Sequence, residues 1–89
     1  MTKAEAKTLA NQFRAAVIVG GREWVMPRPN RHSDVFHLVW EKLGLTVGAE
    51  SGFVDNSRKF YTHQDAFAIA KQAGLVTGNA GVLFTEDLW

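Results

Sequence analysis

The chain has 89 residues, 46% of them hydrophobic, and a formal net charge of +1. A single domain fits this length, and the composition excludes a disordered tail and a histone-like basic protein. The absence of cysteine excludes disulfides and thiolate metal sites, and no apolar run is long enough to span a membrane. We therefore expect a cytoplasmic protein with no cofactor and no membrane contact.

The first half of the chain predicts a helix, a β-hairpin and a second helix. Thr2 to Glu5 match a capping box, and apolar residues then recur at helical spacing. Two consecutive glycines between β-branched or aromatic runs favour a tight hairpin turn. In chain order we predict a helix over 3–13, a strand over 15–19, a turn at Gly20–Gly21, a strand over 22–26 and a helix over 35–43 that ends at Gly44.

The second half repeats the order of the first. The predicted elements are a loop over 45–51, strands over 52–54 and 59–61, a helix from the Thr62 capping box to Gly74, a loose connector around Asn79, a candidate strand over 82–84 and an acidic tail.

These elements define the expected architecture. We predict an α+β fold, in which an N-terminal helix is followed by two ββα units that form an antiparallel sheet covered by helices on one face. The single domain, 1–89, divides into a helical extension over 1–14, ββα units over 15–44 and 52–74, and a tail over 75–89.

Both helices of the ββα units begin with a His-x-Asp-x-Phe pattern, at His32 and again at His63. Two histidines and two aspartates from matching positions are a ligand set that suits zinc or manganese. Capping is the stronger interpretation, because Asp65 is the third helical residue of a capping box, where its charge also suits the helix N-terminus. We therefore expect no metal.

The first unit carries extra residues, Pro-Arg-Pro-Asn-Arg, before its helix, and this basic loop is the predicted site. Cations at a helix N-terminus are disfavoured by the helix dipole, so an anion should offset Arg28 and Arg31. That anion is either a bound ligand or an internal carboxylate of Asp34, Glu23, Glu86, Asp87 or the chain end; a solvated loop is the remaining alternative. The predicted ligand-binding residues are Arg22, Arg28, Asn30, Arg31, His32 and Arg58.

The aromatic residues predict a core and two contact positions. Strand alternation places Trp24 and Phe60 on one face and Tyr61 on the other face, exposed. Core packing is expected for Trp24 and Phe60, and stacking of nucleic-acid bases on a sheet face, with Phe53, is the alternative. We predict that Tyr61 and Trp89 contact partners, with Trp89 either docked on the domain or exposed. Trp40 is expected in the core or in an oligomer contact.

Catalysis has little support in the sequence. No serine lies in a Gly-x-Ser-x-Gly elbow, and no phosphate-loop or dinucleotide fingerprint is present. His32 and Asp34, two positions apart on a helix, point in different directions. We predict that the protein is not an enzyme.

The ordered set of segments 27–35, 52–53, 59–60 and 85–89 resembles a family of small bacteriophage and prophage proteins. These carry a Pro-x-Arg-His-x-Asp-Val segment and end in Ser/Thr-Glu-Asp-Leu-Trp; the resemblance covers Val17 to Trp89. It implies a phage protein acting in the host cytoplasm.

We therefore expect a homodimeric, non-enzymatic protein that inhibits a host process, such as immunity, by capturing an anionic ligand such as a nucleotide signal. One alternative is an anti-CRISPR-type inhibitor that binds a host effector protein. The other is a metal or phosphoester enzyme that uses His32 and Asp34.

Overall fold

The computed structural model describes residues 1–44, 48–78 and 81–89, so part of the loop predicted over 45–51 and the connector residue Asn79 lie outside the described residues. The elements are helix α1 (Lys3–Ala10), strands β1 (Arg14–Val19) and β2 (Arg22–Val25), helix α2 (His32–Leu43), strands β3 (Glu50–Val54) and β4 (Phe60–Tyr61), helix α3 (His63–Gln72) and a short 3-10 turn (Thr85–Asp87).

The strands form one antiparallel sheet in the order β2-β1-β3-β4. The two hairpins, β1–β2 and β3–β4, pair with each other through β1 and β3. The predicted α+β architecture is therefore confirmed. Helices α2 and α3 lie on the same face of the sheet, because each packs against side chains that the register places there. None of the helices in the described ranges is long and apolar enough to cross a membrane.

The Gly20–Gly21 turn is confirmed, since both residues have positive φ angles, 57° and 79°. The end of the first helix and the candidate strand over 82–84 were predicted wrongly. Helix α1 ends at Ala10, with Asn11 as its C-cap, and Phe13 enters the core from the following segment. The segment 82–84 is not a strand: Leu83 is held instead by His63, whose main-chain carbonyl accepts its N–H at 2.9 Å.

The predicted distribution of aromatic residues over the sheet faces is also wrong. The register aligns Trp24 with Val17 and Tyr61 with Phe53, all on the face covered by helices. Phe60 pairs with Val54 and lies on the opposite face. The prediction failed because alternation within one strand does not give the register between strands.

Tyr61 is buried rather than exposed, with 7% of its surface accessible. Its ring lies 5.2 Å from that of Phe13, and its hydroxyl donates to Asp55 Oδ2 at 2.9 Å. The prediction that Tyr61 is exposed is therefore wrong, since the phenol has both an apolar and a polar partner inside the protein.

The core consists of two clusters under the helices. One contains aromatic residues from three parts of the chain, and the other contains aliphatic residues of β1 and α2. Trp89 packs against both. Their larger buried members are Phe13, Phe53, Tyr61, Phe67 and Leu83 in the first, and Val17, Val19, Val35 and Val39 in the second.

Candidate functional site at two helix starts

The two copies of the His-x-Asp pattern meet in space. His32 begins α2 and His63 begins α3, and their ring centroids are 4.9 Å apart. Phe53 packs edge-on against both rings, at 5.1 and 5.5 Å. The repeat therefore does more than start two helices, because it places two imidazoles side by side where the helix N-termini converge.

Main-chain carbonyls determine which nitrogen of each imidazole carries the proton. His32 Nε2 lies 2.6 Å from Gly52 O, and His63 Nδ1 contacts Leu83 O. A carbonyl oxygen only accepts, so both of these nitrogens are donors. The Ser51 hydroxyl lies 2.8 Å from the other nitrogen, His63 Nε2, and donates to it whenever that nitrogen carries no proton.

The surroundings of His32 favour the neutral ring. Burial lowers its pKa below 6.5 and the neighbouring His63 lowers it further, while the Gly52 hydrogen bond and Glu86 act in the opposite direction. A positive charge here would also face the N-terminus of α2.

The aspartates of the repeat lie at capping positions. Asp34 Oδ2 accepts a hydrogen bond from Arg31 N at 2.8 Å, and Asp65 N donates to Thr62 Oγ1 at 3.1 Å. Within 1–44, 48–78 and 81–89, no three His, Cys, Asp or Glu residues lie together as metal ligands. His32 Nε2, engaged with Gly52 O, is not available to a metal ion.

Arg28 is enclosed by the protein itself. Its Nε donates to Phe13 O at 2.8 Å and its Nη2 donates to Ala10 O at 2.9 Å, so it caps the C-terminal end of α1. The guanidinium carbon lies 4.2 Å from the centroid of the Trp89 ring. Burial lowers the pKa of Arg28 below 12.5.

Arg31 is bound by the last residues of the tail, Glu86 and Trp89. Its Nη2 donates to Trp89 O, and its Nη1 lies 3.2 Å from Glu86 Oε1, at ion-pair distance but without hydrogen-bond geometry. The Trp89 indole N–H lies 3.0 Å from both Pro29 O and Asn30 O. Trp89 is therefore docked, and the structure shows the internal acceptors that the sequence left as an alternative to a ligand.

The other two predicted ligand-binding residues lie away from this junction. Arg22 stacks over Trp24 with its guanidinium carbon 4.4 Å from the ring centroid. Arg58, in the turn between β3 and β4, lines a separate cleft with Arg14 and Glu23. The structure thus brings together Arg28, Asn30, Arg31 and His32, and it separates them from Arg22 and Arg58.

Sequence analysis missed three contributors to these surroundings. Ser51 and Leu83 hold the His63 ring, and Arg14 lines the cleft with Arg58. Ser51 and Leu83 carry no local signal, since their role depends on which segments meet. Arg14 does carry a signal, since it is a charged residue directly before the strand predicted over 15–19, and in the structure it is the first residue of β1.

Comparison with known proteins gives the family but no activity. Residues 7–89 match the family model described as "Phage T4 y16D protein". The comparisons with curated proteins and with solved structures found no match. Because the family model covers nearly the whole chain, the protein belongs to the phage T4 y16D protein family.

Proposed function

We propose that the chain is a non-enzymatic phage protein that inhibits a host process by binding a host effector protein through one side of α2. A single observation carries this proposal: Trp40 on α2 is 58% exposed. Tryptophan is rarely left this accessible without a partner, and it is among the residues that contribute most binding energy in protein interfaces.

The residues around Trp40 support a helix-in-groove contact. Phe36, Trp40 and Leu43 follow one another at helical spacing, with Phe36 half-buried and Leu43 43% exposed. His37 and Glu41, paired at 3.0 Å, provide a polar neighbour on the same helix. An apolar centre beside polar residues is the usual composition of a transient interface.

The hydrogen bonds of the basic loop favour effector binding through α2 over anion capture at the loop. Arg28 Nε and Nη2 donate to main-chain oxygens of Phe13 and Ala10, and Arg31 Nη2 donates to Trp89 O. A ligand at the loop would have to replace these internal acceptors, whereas Trp40 is accessible as it stands.

The test is binding of a host partner to Trp40→Ala. The partner is isolated from infected cells with wild-type bait, purified, and titrated calorimetrically against each variant. We expect Trp40→Ala to weaken binding by more than about 10-fold, as for other interface hot spots, with an unchanged melting temperature. Leu75→Ala, which truncates another exposed apolar residue, is the matched control.

Unchanged affinity of Trp40→Ala would overturn the proposal. The exposed Trp40 has a second explanation, which is that it contacts a second copy of the chain in the predicted homodimer. Sedimentation distinguishes this homodimer from binding of a host partner. A wild-type dimer that Trp40→Ala converts to a monomer would assign this surface to a second copy of the chain instead.

Capture of an anionic ligand such as a nucleotide at the basic loop is the second candidate. The observation that favours it is the exposure of Glu86, the acidic partner of Arg31, whose side chain is 67% accessible. Such an exposed ion pair contributes little stability, so a phosphate can take its place. Nucleotide-induced thermal stabilisation of the wild type, lost in Arg31→Ala, would support it; no stabilisation of the wild type would exclude it.

A further inference from the structure

A cleft of about 300 Å³ lies away from the helix starts. Since Ala15 and Val17 point into the core, Arg14 and its partner Val54 lie on the other face of the sheet. Arg58 reaches the cleft from the β3–β4 turn. The full lining is Arg14, Glu23, Trp24, Val25, Val54 and Arg58.

The two arginines of the cleft have unused donor capacity. Arg14 Nη2 donates to Asp55 O at 3.1 Å, but Arg14 Nε is buried and has no hydrogen-bond partner in the part of the chain that the structure describes. In the same described ranges, neither Arg14 nor Arg58 forms an ion pair with a carboxylate. The buried Nε is out of reach of a ligand, so a ligand would meet the other donors of the Arg14 guanidinium and the exposed side chain of Arg58.

The turn that carries Arg58 is rigidly organised. Asp55 Oδ1 accepts hydrogen bonds from Ser57 N at 2.8 Å, Ser57 Oγ at 2.6 Å and Lys59 N at 3.1 Å. Arg58 has a φ of 66°, a left-handed conformation that side chains other than glycine rarely adopt. The turn holds Arg58 in this conformation although glycine would fit it better.

One carbonyl oxygen connects the two arginines. Asp55 O accepts from Arg58 N at 3.1 Å and from Arg14 Nη2 at 3.1 Å. The main chain of Arg58 and the guanidinium of Arg14 are therefore fixed relative to each other before any ligand arrives. Such preorganisation reduces the entropic cost of binding.

We propose that this cleft binds the phosphate group of a small phosphate ester between Arg14 and Arg58. Two guanidinium groups match the oxygens and double charge of a phosphate, whereas a carboxylate is satisfied by one of them. Val25, which is half-buried, supplies an apolar surface for the organic part of the ester, and Glu23 disfavours ligands with further negative charge. The site is independent of the α2 surface and of the basic loop.

The test is calorimetric titration with inorganic phosphate, phenyl phosphate and benzoate in a buffer without phosphate. We expect one saturable site for phenyl phosphate, weaker binding of inorganic phosphate and the weakest binding of benzoate. Arg58→Gly removes the guanidinium and suits the φ of 66°, so it should fold at least as well as the wild type and bind phenyl phosphate at least 10-fold more weakly.

Arg14→Gln should weaken binding by a similar factor, and Arg22→Gln, which changes an arginine stacked on Trp24 outside the cleft, should leave it unchanged. The proposal is overturned if phenyl phosphate does not bind the wild type, if Arg58→Gly binds it as tightly, or if Arg22→Gln loses it equally. Benzoate binding as tight as phenyl phosphate would assign the cleft to carboxylates instead.

Discussion

Arg28 and Trp89 are in direct contact, with the guanidinium carbon 4.2 Å from the indole centroid. The same guanidinium caps α1 through Ala10 O and Phe13 O. Arg28 thus joins the end of the first helix, the basic loop and the tail. A residue that the sequence marks as a ligand-binding candidate has an internal role in the fold.

Arg28→Ala should lower the free energy of unfolding. The variant loses two hydrogen bonds from a charged donor and a cation–π contact, and it leaves the carbonyls of Ala10 and Phe13 without this partner. We expect a loss of about 2–3 kcal/mol, from the usual worth of charged hydrogen bonds and cation–π pairs. Urea unfolding followed by circular dichroism measures it.

Arg22→Ala is the matched control for Arg28→Ala. It also removes an arginine stacked on a tryptophan, but Arg22 is exposed and no hydrogen bond of its guanidinium to a carbonyl is seen in the described residues. The control should cost less than about 1 kcal/mol, as exposed cation–π pairs do. Equal losses in the two variants would contradict the capping role of Arg28.

A double-mutant cycle of Arg28→Met and Trp89→Leu measures the free energy of the contact between Arg28 and Trp89. Arg28→Met keeps an unbranched apolar side chain without the charge, and Trp89→Leu keeps an apolar side chain without the ring; the packing that the smaller leucine loses cancels in the cycle. We expect a coupling free energy of about 0.5–1 kcal/mol between the two positions. A coupling within experimental error of zero would show that the contact with Arg28 contributes nothing to the docking of Trp89, which its indole N–H, Arg31 and the core contacts would then account for.

Much of the fold was predictable because its signals are local. The capping box at Thr2, the positive φ angles of Gly20 and Gly21 and the left-handed end of α2 at Gly44 all depend on a few neighbouring residues. Face assignment failed at Tyr61, because it depends on the register between strands. That register is set by pairing that no single segment contains.

The site was only partly predictable for the same reason. The two His-x-Asp copies are visible in the sequence, and so is the basic loop. That His32 and His63 lie 4.9 Å apart, and that Arg31 meets Trp89, depends on how the helices and tail pack. The opposite charges of the basic loop and the tail are visible in the sequence and are compatible with a contact between Arg31 and the tail. They are equally compatible with a bound anionic ligand, so the sequence does not distinguish the two.

Acid should destabilise the protein through His32. Burial holds the pKa of the folded imidazole below 6.5, so the unfolded chain binds a proton at a higher pH than the folded chain does. The stabilisation is therefore complete above pH 6.5 and is lost as the pH falls from there through the folded pKa. The slope of unfolding free energy against pH is at most about 1.4 kcal/mol per unit for one proton.

Urea unfolding between pH 7.5 and about 5.5, above the range in which carboxylates such as Asp55 begin to titrate, measures this dependence. His32→Gln, which keeps a polar side chain without a titrating imidazole, should flatten the slope. His37→Gln, an exposed histidine on the same helix, should not. A slope that persists in His32→Gln would assign the acid sensitivity to another group.

Gly52→Ala should lower the free energy of unfolding by more than the small size of the added methyl group implies. A Cβ at this position would collide with the Tyr61 carbonyl and the Phe60 ring, and the carbonyl belongs to a paired strand that cannot move aside easily. We expect a loss of about 1–3 kcal/mol, the usual cost of overpacking. Phe60→Ala in the same chain should recover only the part due to the ring, because the clash with Tyr61 O remains.

Ser51→Ala, at the preceding residue, is the control and should cost about 1 kcal/mol, for its hydrogen bond to His63. If thermal and urea unfolding show Gly52→Ala to be as stable as the wild type, β4 does not approach β3 as closely as the structure has it.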